Sequence, residues 1–170
     1  MEIKFELTEE DYIKFNLYHM ENSPSQKKLH RSLRYALPLL FTFPIYFIGS
    51  GVLKQPSLYW LIISILFFVV WIFYYPKRYK SSIRKQAQKL LREGDNSSYF
   101  GKKTMLIDEN SIKIFDELSS KTISKNSIKS IKIYDDLILI YLSAVTAHII
   151  PTRNLDETTK NQLIKELDLF

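Results

Sequence analysis

Two uncharged stretches lie almost back to back in the middle of this chain, and they limit what it can fold into more than any other feature. From Tyr35 to Leu53 there are 19 residues without a charge, and from Gln55 to Pro76 another 22, with only Lys54 between them. Wound as helices they reach about 28 and about 33 Å, against a bilayer hydrocarbon core of roughly 30 Å. The second is the more apolar: Leu61 to Phe73 reads LIISILFFVVWIF, in which Ser64 alone is polar, and insertion of such a run is favoured by roughly 4 kcal/mol or more. The first carries Pro38, Pro44, Gly49 and Gly51, residues that membrane helices tolerate because neighbouring segments satisfy the freed backbone groups. A kink is expected near Pro44. The competing reading is a buried hairpin in a soluble bundle, but Tyr59, Trp60, Tyr74 and Tyr75 near the ends of the second run mark membrane interfaces and favour a transmembrane hairpin over 35–53 and 55–76.

The basic residues set the orientation. Lys27, Lys28, Arg31 and Arg34 precede the first span with no acid among them. Lys77, Arg78, Lys80, Arg84, Lys85, Lys89 and Arg92 follow the second before the first acid, Glu93. Only Lys54 lies in the connection, so the positive-inside rule places both termini in the cytoplasm of a multi-pass cell-membrane protein. A cleaved signal peptide is not expected, because the first apolar run begins near residue 35 after a charged segment. The net charge of +6 has the same origin. The stretch 102–150 holds seven lysines and six carboxylates and is nearly neutral, so the excess charge points to anionic headgroups rather than nucleic acid. Lys27, Lys28, Arg31, Arg34, Lys77, Arg78, Lys80 and Arg84 are the candidate headgroup contacts, with topology alone as the plainer role.

Outside the hairpin the periodicity changes. Ile3, Phe5 and Leu7 alternate with Glu2, Lys4 and Glu6, the signature of a half-buried strand. Thr8 followed by Glu9, Glu10 and Asp11 predicts a capped helix ending near Ser23-Pro24. A basic helix over Lys77 to Arg92 stops at Gly94. From Gly101 the pattern is short strands with tight turns: about 102–107, 111–116, 121–124, 128–134, 137–142 and 146–150, antiparallel because the links are too short for crossovers. Pro151 ends the last strand, and a helix from Asp156 or Glu157 to Leu167 presents Leu163, Ile164 and Leu167 as one apolar stripe. The expected fold is therefore an α+β membrane protein, with a two-helix hairpin and a small antiparallel β domain closed by a C-terminal helix, similar to a pleckstrin-homology-like domain. Its segments are 1–34 (strand, helix and basic segment), 35–76, 77–94 (basic helix) and 101–170.

Catalytic chemistry finds little support. With no cysteine, disulfides, thiolate nucleophiles and the usual zinc sites are excluded. Four glycines, at 49, 51, 94 and 101, form neither a Walker loop nor a dinucleotide fingerprint. His19, His30 and His148 have no metal-ligand spacing, and His148 reads as a packed strand residue rather than an acid or base. The pairs Asp108-Glu109 and Asp135-Asp136 read as turn residues rather than a cation site. The spans hold no ionisable residue, against a proton or ion pathway. No catalytic, metal or cofactor residue is assigned.

Several short segments in order resemble the YcxB-like family of small bacterial membrane proteins: Glu6-Leu7-Thr8-Glu9-Glu10-Asp11-Tyr12 with Phe15-Asn16-Leu17-Tyr18-His19, the basic run and hairpin, Gly101-Lys102-Lys103-Thr104 leading to Ile112, and Ile149-Ile150-Pro151-Thr152-Arg153. The resemblance covers nearly the whole chain and implies architecture and membrane location, with no established reaction. Arg153, within the last motif, is expected either to pair with Asp156 or Glu157 or to meet a lipid phosphate or a partner carboxylate. The sequence favours a non-catalytic, membrane-anchored cytoplasmic binding or scaffold module whose partners are anionic lipids and a membrane protein, with self-association left open. The alternative is an accessory or self-protection subunit acting through its hairpin on a transporter or toxin target.

Overall fold

Strand β1 (Glu2–Leu7) alternates as its sequence requires, with Ile3, Phe5 and Leu7 buried and the charged residues between them exposed. In the computed structural model, which describes residues 1–117 and 119–169, its partner is β2 (Gly101–Ile107), antiparallel from Glu2 opposite Leu106 to Leu7 opposite Gly101. The sheet continues through β3 (Ser111–Phe115) and β4 (Ser120–Ser124) in the order β1-β2-β3-β4. A second antiparallel sheet has the order β5 (Ser130–Ile133), β6 (Leu137–Tyr141), β7 (Ala147–Pro151). All five residues of β6, LILIY, are buried, so both faces of the central strand are covered, and its sequence is a continuous apolar run instead of an alternation. Helix α5 (Glu157–Leu167) closes the chain with Leu163 and Leu167 buried. Its N-cap is Asp156, whose carboxylate accepts the Thr159 backbone N–H at 2.9 Å and its hydroxyl at 2.7 Å.

These elements form a compact unit of residues 1–15 and 87–170. The reading of 1–34 and 101–170 as separate segments missed the pairing of β1 with β2, because the period of a strand reveals its faces but not its neighbour. Leu118 and Phe170, part of the expected 101–170 domain, lie outside the described residues. The strand expected over 128–134 is shorter, since a 3-10 turn at Lys125–Ser127 precedes it and Tyr134 opens the turn into β6, its N–H bonding Leu137 O at 2.8 Å.

Residues 16–86 form the other unit. Helix α1 (Glu9–Asn22) ends as expected, but the basic segment after it is also helical. Ser23-Pro24 stops one helix and starts the next, because proline at a first helical position gives up an N–H that has no partner there anyway. Helix α2 (Pro24–Arg31) runs through a π turn (Ser32–Ala36) into α3 (Leu37–Phe47) and a second π turn (Ile48–Val52), making one helical stretch Pro24–Val52. The helix continues through Pro44, and its irregularities lie at the π turns on either side. Helix α4 (Ser57–Arg92) is unbroken for 36 residues, so the second apolar run and the basic helix after it are one element. Both stretches are long and apolar enough to cross a membrane, and only 11% and 6% of their most apolar windows are buried.

Two tryptophans of α4 join the helices. At Ser32–Ala36 the Leu37 N–H bonds Ser32 O, and Pro38, next in line, has no N–H. The Leu33 carbonyl is instead bonded by the Trp71 indole N–H at 3.0 Å. Near the opposite end Trp60 lies flat against Gly49, where a Cβ would come within 1.9 Å of the ring. The connection turns at Lys54, which adopts a left-handed φ of 51°.

Gly49→Ala is expected to destabilise the hairpin by about 1–3 kcal/mol through overpacking, seen as a lower thermal midpoint of the purified protein in detergent. Adding Trp60→Ala should recover part of the loss, and a wild-type midpoint for Gly49→Ala would disprove the close packing.

Candidate functional site

The eight basic residues singled out from the sequence all lie in the unit 16–86. Lys27, Lys28 and Arg31 are exposed on α2, and Lys77, Arg78, Lys80 and Arg84 are exposed on α4. The two runs are brought alongside each other by His30, whose ring lies 5.2 Å from that of Tyr75 and 4.5 Å from that of Tyr79. Lys80 pairs with Glu21 at 2.6 Å. Arg34 differs from the rest: it is half-buried in the first π turn, with its guanidinium carbon 5.3 Å from the centre of the Tyr35 ring.

Arg153 does not pair with Asp156 or Glu157. Its guanidinium binds the carboxylate of Asp11 and donates to Glu6 O at 2.9 Å. Asp156 is committed to Thr159, and those bonds hold its carboxyl below the usual range. Asp11 is 1% exposed, and its second oxygen accepts the Thr8 N–H at 2.8 Å and the Thr8 hydroxyl at 2.7 Å, so the acid of the capping box is also the buried end of an ion pair. The preceding residue works in the same direction. Thr152, 3% exposed, bonds Asp136 O through its N–H at 2.9 Å and Asp135 O through its hydroxyl at 3.3 Å. Lys14 of α1 reaches the Asp136 carboxylate, and Lys160 of α5 reaches Asp135 O at 2.8 Å. The Asp135-Asp136 turn and the Thr152-Arg153 step thus fasten the first turns of α1 and the helix α5 to the second sheet. Sequence reasoning missed these partners because Arg153 and Asp11 are 142 positions apart. It also missed Lys103 and Asp116, which meet at 2.6 Å with side chains only 12% and 13% exposed. That pair was legible in principle, since Thr104 stands opposite Phe115 and the next positions outward are Lys103 and Asp116.

His148 stands opposite Ile140 in the second sheet, with its Nε2 buried and without a hydrogen-bond partner. Burial, reinforced by the charge of Lys121, pushes its pKa down to about 4, so the ring is neutral at neutral pH. Asp108 is 3.4 Å from Lys113. Among the described residues no group of three or more His, Asp or Glu is placed to hold a metal ion.

Removing Arg153 strands a buried carboxylate. A fully buried pair loses about 3–5 kcal/mol on such truncation, and with the Arg153 side chain 32% exposed a loss of about 2 kcal/mol is expected for Arg153→Ala. In double-mutant cycles by chemical denaturation in detergent, Arg153→Ala should couple with Asp11→Asn and be additive with Asp156→Asn; coupling to Asp156 instead would refute the assignment. For His148 the folded pKa lies below the ordinary 6.5, so acidification protonates the unfolded chain first and stability falls as pH drops from about 6.5 towards 4. His148→Gln should flatten that part of a plot of thermal midpoint against pH, and an unchanged slope would show that other groups cause it.

No family model, curated protein or solved structure matches this chain.

Proposed function

We propose that this chain is a non-catalytic cytoplasmic binding module held in the cell membrane by its helical hairpin, with both termini inside, and that it belongs with the YcxB-like family it resembles. The observation that carries the reading is the insertion of the whole hairpin between two paired strands, β1 and β2. A β unit with its own core is thereby tethered through two chain crossings. Large apolar side chains such as Phe73, 71% exposed, and Leu58, 69% exposed, would be costly in water over so long a surface, and lipid removes that cost. Four antiparallel strands, then three, then a closing helix support a pleckstrin-homology-like fold for the β unit. The paired basic runs on α2 and α4 lie where anionic headgroups would meet them, each residue contributing on the order of 1 kcal/mol of attraction.

The test is to replace residues 35–53 and 55–76 with unrelated apolar helices and identify the lipids and proteins that copurify in mild detergent. The same anionic lipids and protein partners are expected with either hairpin. Loss of a stoichiometric protein partner on the swap would overturn this reading in favour of an accessory subunit that acts through its spans.

A further inference from the structure

We propose that a cavity at the charged end of the hairpin is a binding site for the phosphate group of an anionic membrane lipid; this rests on the membrane-anchored reading above. The cavity, about 210 Å³, is lined by Glu21 from α1, Lys27 and His30 from α2, and Pro76, Tyr79 and Lys80 from α4. It is smaller than the roughly 300–1,000 Å³ of sites that enclose a whole small molecule, and its size suits a headgroup whose acyl chains remain outside.

Unsatisfied hydrogen-bonding capacity gathers at this place. Among the described residues six buried side-chain polar atoms have no partner: one, His30 Nδ1, belongs to a residue that lines the cavity, and two more neighbour it outside the lining, Arg34 Nε one helical turn further along and the hydroxyl of Tyr75, whose ring is 5.2 Å from that of His30. Buried polar atoms in folded proteins are nearly always hydrogen-bonded, and each of these three groups can donate to a phosphate oxygen. The charge has the right sign: of the lining residues, Lys27 and Lys80 stand against the single carboxylate of Glu21. Lys80 is held by Glu21 at 2.6 Å, with its side chain 62% exposed, and so exposed a pair is worth little. Lys80 can therefore turn to a phosphate at small cost.

Position selects a lipid over a soluble phosphate. Pro76 is the last residue of the uncharged run and Lys77 the first charge after it, so in an anchored protein the cavity lies at headgroup depth. The aromatic rings around His30 supply the amphipathic surface typical of that depth.

The test uses the full chain in nanodiscs of phosphatidylcholine with and without phosphatidylglycerol, and reads bound lipid by native mass spectrometry after mild detergent release. His30→Phe keeps a ring against Tyr75 and Tyr79 while removing the nitrogens, and Lys27→Gln removes a charge from an exposed position. Each is expected to reduce phosphatidylglycerol occupancy about tenfold, the loss of one charge-assisted hydrogen bond, with thermal midpoints unchanged. Lys28→Gln, on the same helix but outside the cavity, should reduce it far less. Equal small losses in all three variants, with anionic lipid still enriched in the wild type, would overturn the site and leave the anchored module standing. No enrichment over phosphatidylcholine in the wild type would overturn both. Inorganic phosphate that binds in phosphatidylcholine nanodiscs, is lost with His30→Phe, and fails to displace phosphatidylglycerol from the mixed nanodiscs would overturn the lipid assignment.

Discussion

The pairing of β1 with β2 is the contact on which everything else depends. Leu7 and Gly101 are opposite each other in the ladder, yet every helix from α1 to the end of α4 separates them in sequence. A flexible loop of that length would cost about 4 kcal/mol to close. Helices that turn back at Lys54 and are joined by Trp60 against Gly49 and Trp71 on Leu33 leave the intervening chain far less of that freedom to lose. In return, β1 gives Ile3, Phe5 and Leu7 to the core. The β unit is incomplete without the residues that precede the hairpin, because β1 supplies the edge strand of its first sheet.

Charges in this chain divide by burial. Arg153 with Asp11 and Lys103 with Asp116 are sheltered, and each lies where one element must be held against another: the first turn of α1 against the end of β7, and the start of β2 against the end of β3. Truncating one member of such a pair leaves an uncompensated charge, so these residues act as fasteners for the fold. On α2 and α4 the basic residues are mostly exposed, and the Lys80–Glu21 pair there adds little stability. The expected local pair of Arg153 with Asp156 or Glu157 gives way to a distant one, its guanidinium being bound to the buried carboxylate of Asp11.

Much of this was legible in the sequence wherever the signal was local. The alternation of β1, the uncharged runs, the start of the last helix at Asp156 or Glu157 and the turn residues at Asp108 and Asp135 each express a period or a backbone preference contained within a few residues. What stayed hidden required either a distant partner or a competing local rule. Nothing near Arg153 points to Asp11, and nothing in Glu2–Leu7 names Gly101–Ile107. The helix Pro24–Arg31 was hidden for the other reason, since a serine and proline that end one helix can equally begin the next.

The hairpin shows how a long apolar helix with breakers in it stays whole. An orphan carbonyl among apolar side chains is costly, and the first apolar stretch contains two prolines, each removing one N–H from the ladder. At Pro38 the deficit is met from outside the helix by the Trp71 indole, while the Pro38 carbonyl accepts the Thr42 hydroxyl at 2.7 Å. Glycine does the complementary work at the far end, where the absence of a side chain at position 49 lets Trp60 lie against the backbone. The residues that make the first stretch the less apolar one are therefore those through which it grips the second: proline creates the acceptor, glycine makes the space, and the tryptophans of α4 use both.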